Sequence, residues 1–315
     1  MFVNEYNSEA FSTGIMHNDI EPHKLADHVL HDLYANDSGT IPDRIRLIVT
    51  AVDVQDGHVH CLQVGFADGM EIFILHQAEL LMDTTQAQSF EAINEYVNSR
   101  VYRTDAGRSL VSDYVFIDSR FRTEAVYKYF SQNPQFRYAI TGHGETSRPI
   151  FDVPKYRREK NAYQLKVGGH QGKDYMASRW GAEQKTIYIA AHPAVNNNRT
   201  FEQLTGEVRR SRQVNGRKQF YWKPRTASQR VEALDCLNYA ISGAMMLATY
   251  SPSVMLDMSA PIKFQLQKVD GKDGEFQRYE TTTTHDPDHV PKAVTSNPNN
   301  MTLQQIMARR KAVTG

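Results

Sequence analysis

Residues 46–57 read Arg-Leu-Ile-Val-Thr-Ala-Val-Asp-Val-Gln-Asp-Gly. Arg46–Val54 is an apolar run of strand length, and Gln55-Asp56-Gly57 carries the Asp-Gly signal of a tight hairpin. A second apolar run, Val59–Phe66, follows at once, and a third, Glu71–Leu75, follows the turn Asp68-Gly69. Three sequential antiparallel strands are therefore expected. Further on, helical spacing over Thr85–Val101, a strand at Tyr114–Asp118, a helix at Thr123–Phe130 and a strand at Phe136–Thr141 alternate. Strands followed by such alternation indicate a mixed α/β sheet.

Within this frame Asp53 stands near the end of its run, behind Leu47, Ile48 and Val49. Asp118 closes the run Tyr114–Ile117. A third acid, Asp235, lies in the apolar helix Gln229–Ala248 among Val231, Leu234, Leu237 and Ile241. Glu232 precedes it by three residues, roughly 60° around a helix, so the two share a face. Taken singly, each aspartate has a structural reading, since aspartate caps and tolerates turns. Asp56 is read in that way. Jointly they ask for a counter-charge, because a buried carboxylate is costly unless something positive meets it. A hard divalent cation with oxygen ligands from separate elements, or a lysine, would answer.

Composition sets bounds. The chain has 315 residues, 40% hydrophobic and 23% charged, with 36 Lys+Arg against 36 Asp+Glu. With zero formal net charge, nucleic acid would be met by a local basic patch and not by a global field. Cys61 and Cys236 form neither a disulfide framework nor a zinc set, which fits a reducing compartment. No apolar run approaches about 18 residues and the N-terminus lacks a signal-peptide core, so a soluble intracellular protein with no membrane partner is expected.

Between Gly142 and Gln184 the pattern weakens, with only a short helix expected around Lys173–Arg179. The stretch Val167-Gly-Gly-His-Gln-Gly-Lys173-Asp174 imitates a phosphate loop, but its first glycine is replaced by Val167. Asp174 also stands where Ser or Thr would hold magnesium, so no ATPase site is expected. Lys173 is read as a partner of a carboxylate or of a scissile phosphate, and His143 and His170 lie in the same Gly-rich segments. Basic residues cluster at Lys155, Arg157, Arg158 and Lys160, and again at Arg209, Arg210, Arg212, Arg217, Lys218, Lys223 and Arg225 around Phe220, Tyr221 and Trp222. A DNA-tracking groove would use such runs, with Arg120 beside the second acid. Thr186–Ala190 and Gln219–Lys223 read as strands, Pro22–Tyr34 and Phe201–Arg210 as helices. The division expected is an extension or linker over 1–43, a core domain over 44–250, and a largely irregular tail over 251–315 ending in a short helix, Leu303–Ala312. Leu303, Ile306 and Met307, followed by Arg309, Arg310 and Lys311, suit a docking helix on a tether.

Several landmarks, in order and spacing, resemble one known family. They are Ala51-Val-Asp-Val-Gln-Asp, Val64-Gly-Phe, Ile117-Asp-Ser with Thr123-Glu-Ala-Val-Tyr, Tyr138-Ala-Ile-Thr-Gly, Arg148-Pro-Ile and Val167-Gly through Lys173-Asp. The most specific are Phe201-Glu-Gln-Leu-Thr-Gly-Glu and Arg230-Val-Glu-Ala-Leu-Asp-Cys-Leu-Asn-Tyr-Ala. The family is the nuclease domain of the large terminase subunit of lambda-type tailed bacteriophages. The resemblance covers about Leu47 to Ala248. It implies a ribonuclease-H-like mixed sheet flanked by helices, and two-metal cleavage of concatemeric viral DNA by two magnesium or manganese ions. By motif match the ligands would be Asp53, Asp118 and Asp235, with Glu232 adjacent. It further implies double-stranded DNA, a portal, and a small terminase subunit or separate ATPase component as partners, in the host cytoplasm. The family's upstream motor domain is not in this sequence. Arg120 and Phe121 replace two family glycines, Thr141 a lysine, and His170 an aspartate. Another ribonuclease-H-like nuclease, such as a junction resolvase, and a cleavage-deficient binding module of the packaging complex are the alternatives.

Overall fold

A computed structural model of the chain describes residues 20–112, 114–133, 137–182, 185–251 and 254–260. The expected terminal helix Leu303–Ala312, and with it the docking element, lies outside the described residues. In chain order the first strands are β1 (Val29–Leu30), β2 (Thr40–Ile41), β3 (Ile45–Val54), β4 (His58–Ala67) and β5 (Glu71–Leu81). Helix α1 (Glu91–Asn98), strands β6 (Tyr102–Thr104), β7 (Ser109–Leu110) and β8 (Tyr114–Asp118), and helix α2 (Thr123–Gln132) follow. Then come β9 (Arg137–His143), β10 (Lys155–Arg157), β11 (Ala162–Gly168), α3 (Gly169–Trp180), β12 (Ile187–Ala190) and α4 (Asn198–Leu204). The hairpin β13 (Glu207–Val214) and β14 (Arg217–Pro224) and the long helix α5 (Glu232–Tyr250) complete the described elements.

Among the described residues, nine strands form one sheet in the order β1-β12-β5-β4-β3-β8-β9-β11-β10. β3, β4 and β5 are the expected antiparallel meander, turned at Gly57 with φ 75°. β8, β9 and β11 then add in parallel. β3 and β4 are buried along nearly their whole length, because helices cover both faces; hence their continuous apolar runs instead of an alternating pattern. On one face α5 packs across β3 and β4 and anchors the main core with Leu234, Leu237, Ile241 and Ala244. On the other, Phe90, Ile93, Tyr96 and Val97 meet Val126, Tyr129 and Phe130 over Val52, Val115 and Ile117. The result is a mixed sheet flanked by helices, the architecture that the resemblance implies. No helix of the described residues is long and apolar enough to cross a membrane.

Three local expectations change. Pro22–Tyr34 is not one helix: a 3₁₀ turn, Pro22–His28, gives way to β1, which pairs in parallel with Ile189 and Ala190. Leu25, Leu30 and Leu33 are fully buried in the main core, so part of the expected N-terminal extension packs against the sheet domain. The segment Gly142–Gln184 contains the strands β10 and β11, and α3 begins at Gly169, earlier than the short helix expected there. The helix expected over Phe201–Arg210 stops at Leu204, and Glu207 onward is strand. There Asn215 and Gly216, with φ 51° and 75°, form the two-residue turn that a twisted hairpin requires.

Candidate active site

Adjacent parallel strands place two of the acids side by side. Val52 of β3 pairs with Ile117 of β8, so Asp53 and Asp118 follow in neighbouring register at the strand ends. Both are buried, at 4% and 8% exposure. The third acid arrives from α5, which begins at Glu232, so Glu232 and Asp235 both occupy its first turn. Sequence periodicity sets Asp235 inside a longer helix; the later start gives it the favourable positive end of the helix dipole. That start is fixed by Gln203, whose Oε1 accepts from Ala233 N–H at 3.0 Å, satisfying one first-turn donor. The two most specific sequence blocks therefore meet in space.

Each carboxylate has a distinct environment. Asp53 Oδ2 accepts from Gln55 Nε2 at 2.5 Å. Asp118 Oδ1 accepts from the Arg120 backbone N–H at 3.1 Å, while the Arg120 guanidinium turns away to Gly142 O at 2.9 Å. Glu232 Oε1 accepts from Arg230 Nε at 2.8 Å, and its Oε2 is buried with no hydrogen-bond partner. Asp235 Oδ1 pairs with Lys173 Nζ at 2.9 Å, and the same ammonium reaches Glu207 Oε1 at 2.8 Å. Burial, then Asp235, pushes Asp53 well above the ordinary carboxylate range, with Asp118 and Glu232 adding to the rise. Burial likewise raises Asp118, against the pull of the Arg120 N–H. Burial opposes the charge of Lys173, but Asp235 and Glu207 outweigh it and raise its pKa.

The native state keeps the Asp53 proton longer than the unfolded chain, so stability falls as pH rises from the ordinary 3.8 through the raised native value. In chelator, the melting temperature of the unmutated protein should fall across that window relative to Asp53→Asn. Parallel melting curves for the two would contradict the assignment.

The expected site residues do not all converge. Asp53, Asp118, Glu232, Asp235 and Lys173 share one corner, and Glu207 joins them. Glu207 is not among the residues the sequence singles out, although it ends the Gln-Leu-Thr-Gly-Glu block, because an acid beside arginines in the helix expected over Phe201–Arg210 reads as surface. Lys173 is buried in an ion pair on α3, which starts directly after β11 with no intervening loop, so the Gly-rich stretch is no phosphate cradle. Gly172 is small for packing: a Cβ there would collide with the Asn238 side chain. His170 Nδ1 accepts from Trp222 N–H at 3.0 Å and supports the hairpin, not the acids. Arg210 and Arg212 are exposed on that hairpin. Arg209 is committed to Asp174 at 2.9 Å and stacks over Phe220. Arg157, bonded to Gln164, and the exposed Arg158 lie at the sheet edge by β10, three strands from Asp118 and so at least about 14 Å away at the usual strand spacing.

The donors at the acid corner are all oxygens, and Glu232 Oε2 is an orphaned acceptor. This set fits a hard divalent cation. Among the described residues, the set of three with ligand atoms all within 4.8 Å is elsewhere: Asp37, His76 and His192. That set suits a metal poorly. The Arg100 guanidinium lies 3.1 Å from His76 Nε2, and His192 Nδ1 already accepts from Ala194 N–H.

Residues 2–253 match the model of the family described as terminase large subunit gpA, endonuclease domain. The chain is 22% identical over 242 residues to the terminase large subunit of Escherichia phage lambda, covering 74% of this chain and 37% of that protein. To that of Enterobacteria phage P21 it is 22% identical over 226 residues, covering 69% and 35%. It thus spans about a third of these relatives' length. Among solved structures it is similar to the large terminase nuclease from thermophilic phage G20c with bound magnesium, at 8% identity and TM-score 0.38 over 70% of this chain and 94% of that one. With the family model spanning most of its length, the chain belongs to the terminase large subunit endonuclease domain family.

Proposed function

We propose that this domain is a divalent-metal-dependent DNA endonuclease that cuts concatemeric viral DNA at genome packaging. The observation that carries the reading is the convergence of Asp53, Asp118, Asp235 and Glu232 from β3, β8 and α5 on one buried corner. Asp53, Asp118 and Asp235 would hold magnesium or manganese, and Glu232 Oε2 is a further free donor. Two such ions, when bound, would activate the attacking water and neutralise charge on the leaving 3′-oxygen. Gln55 fixes the Asp53 carboxylate and the Arg120 N–H fixes that of Asp118, while Lys173 pairs with that of Asp235 until a metal ion competes for it. The ligands are thus oriented before substrate arrives. The Arg120 guanidinium is engaged by Gly142 O and forms no direct ion pair with the aspartates, which leaves their oxygens open to a metal ion.

Supercoiled plasmid incubated with magnesium, manganese or chelator tests the activity directly. Nicking or linearisation with either metal and none with chelator is expected; no cleavage under any condition would remove the reading. Preference for four-way junctions over linear duplex would point to a resolvase instead. A portal, and a small terminase subunit or separate ATPase component, belong to the same proposal as partners.

The exposed arginines of the β13–β14 hairpin are the proposed DNA grip. Arg210→Ala with Arg212→Ala should weaken duplex binding uniformly across sequences. It should also flatten the slope of log affinity against log salt by roughly 0.9 for each phosphate no longer neutralised. An unchanged slope would place the DNA path off the hairpin.

A further inference from the structure

Lys173 is one ammonium shared by two carboxylates, Glu207 Oε1 at 2.8 Å and Asp235 Oδ1 at 2.9 Å. The lysine and Glu207 side chains are 9% and 8% exposed, while Asp235 is more open at 28%. A metal ion bound by Asp235 loosens the hold of this ammonium, since the two cations repel and draw on the same carboxylate charge. Leu204, Leu234, Met176, Trp180 and Trp222 line the adjoining cavity. A lysine released into such surroundings without another anion would carry a desolvated charge, a strongly disfavoured state. The other acid of this corner, Asp174, is engaged by Arg209 and by Trp222 Nε1, each at 2.9 Å. Glu207 is the acceptor that remains.

We propose that Glu207 is a positioning residue: it retains Lys173, charged and in place, while Asp235 exchanges the ammonium for a metal ion. The inference rests on the metal-dependent reading above. Glu207 is the first residue of β13, so the same contact registers the base of the basic hairpin on the acid corner. Without Glu207, Lys173 has only Asp235 as partner and competes harder for it.

Calorimetric titration of the full 315-residue chain with manganese tests this, with melting curves to verify folding. Glu207→Gln should bind manganese about tenfold more weakly, the low end of what losing a residue behind a metal ligand costs. Glu207→Asp keeps the charge but shortens the reach, and should also lose affinity, by roughly tenfold. Removing the competitor as well, in Lys173→Met with Glu207→Gln, should restore at least the unmutated affinity. Wild-type binding by Glu207→Asp would mean that only charge at a distance matters, and would overturn the positioning role. So would a double variant as weak as Glu207→Gln. If the unmutated chain binds no manganese, the metal-dependent reading itself fails. If it binds manganese, Asp53→Asn abolishes that binding and every Glu207 variant matches wild type, only the positioning role fails.

Discussion

Asp53→Asn, Asp118→Asn and Asp235→Asn, made singly, are each expected to cut plasmid cleavage by about a thousandfold. That factor follows from losing several kcal/mol of charge stabilisation in the transition state, at about 1.4 kcal/mol per tenfold. Stability should move the other way. An amide in place of Asp53 relieves a carboxylate that is buried and faces Asp235, Asp118 and Glu232. In chelator the Asp53→Asn protein should therefore melt higher than the unmutated one at neutral pH. Millimolar manganese should raise the melting temperature of the unmutated protein, and that rise should vanish in the Asp53→Asn, Asp235→Asn double variant. Near-normal cleavage by Asp53→Asn or Asp235→Asn would show that the acids are structural. A lower melting temperature in chelator would show that Asp53 is compensated by something other than a metal.

Gly243→Ala is the second change with a large expected effect, although it touches no acid. A Cβ at Gly243 would meet the Phe116 ring at 2.5 Å, and Phe116 is fully buried two residues before Asp118 on β8. One methyl group there pushes α5, which carries Glu232 and Asp235, off the strand that carries Asp118. Overpacking of this kind costs about 1–3 kcal/mol, or roughly 2–12 °C in melting temperature for a domain this size. Because a displacement of about 1 Å at a reacting centre can cost a hundredfold, cleavage should fall by about that much below the melting transition. Full activity in a destabilised Gly243→Ala protein would mean that helix seating does not set the acid geometry.

Sequence patterning alone was enough for the meander and the strand ends. Apolar runs broken by Asp56-Gly57 and Asp68-Gly69 allow little but sequential antiparallel pairing, and the aspartates close those runs where a sheet presents its edge. It was enough, too, for the apolar helix after Arg230, whose periodicity extends through Ala248. The family blocks added the identity of the acids, which periodicity alone left as possible caps and turn residues.

Local patterns misled where burial came from distant partners. Val29 and Leu30 continue an apparent helix until Ile189 and Ala190, some 160 positions away, offer a strand edge. The helix expected over Phe201–Arg210 ran into β13, because a run of arginines reads equally as a solvated helix face until the Asn215-Gly216 turn pairs it with β14. Folding in three dimensions was needed to decide that Gln203 caps α5, that Glu232 and Asp235 fall in its first turn, and that Lys173 is shared between Asp235 and Glu207. A carboxylate and its counter-charge are chosen by proximity in a low-dielectric corner, and no spacing along the chain encodes which lysine will be buried beside which acid.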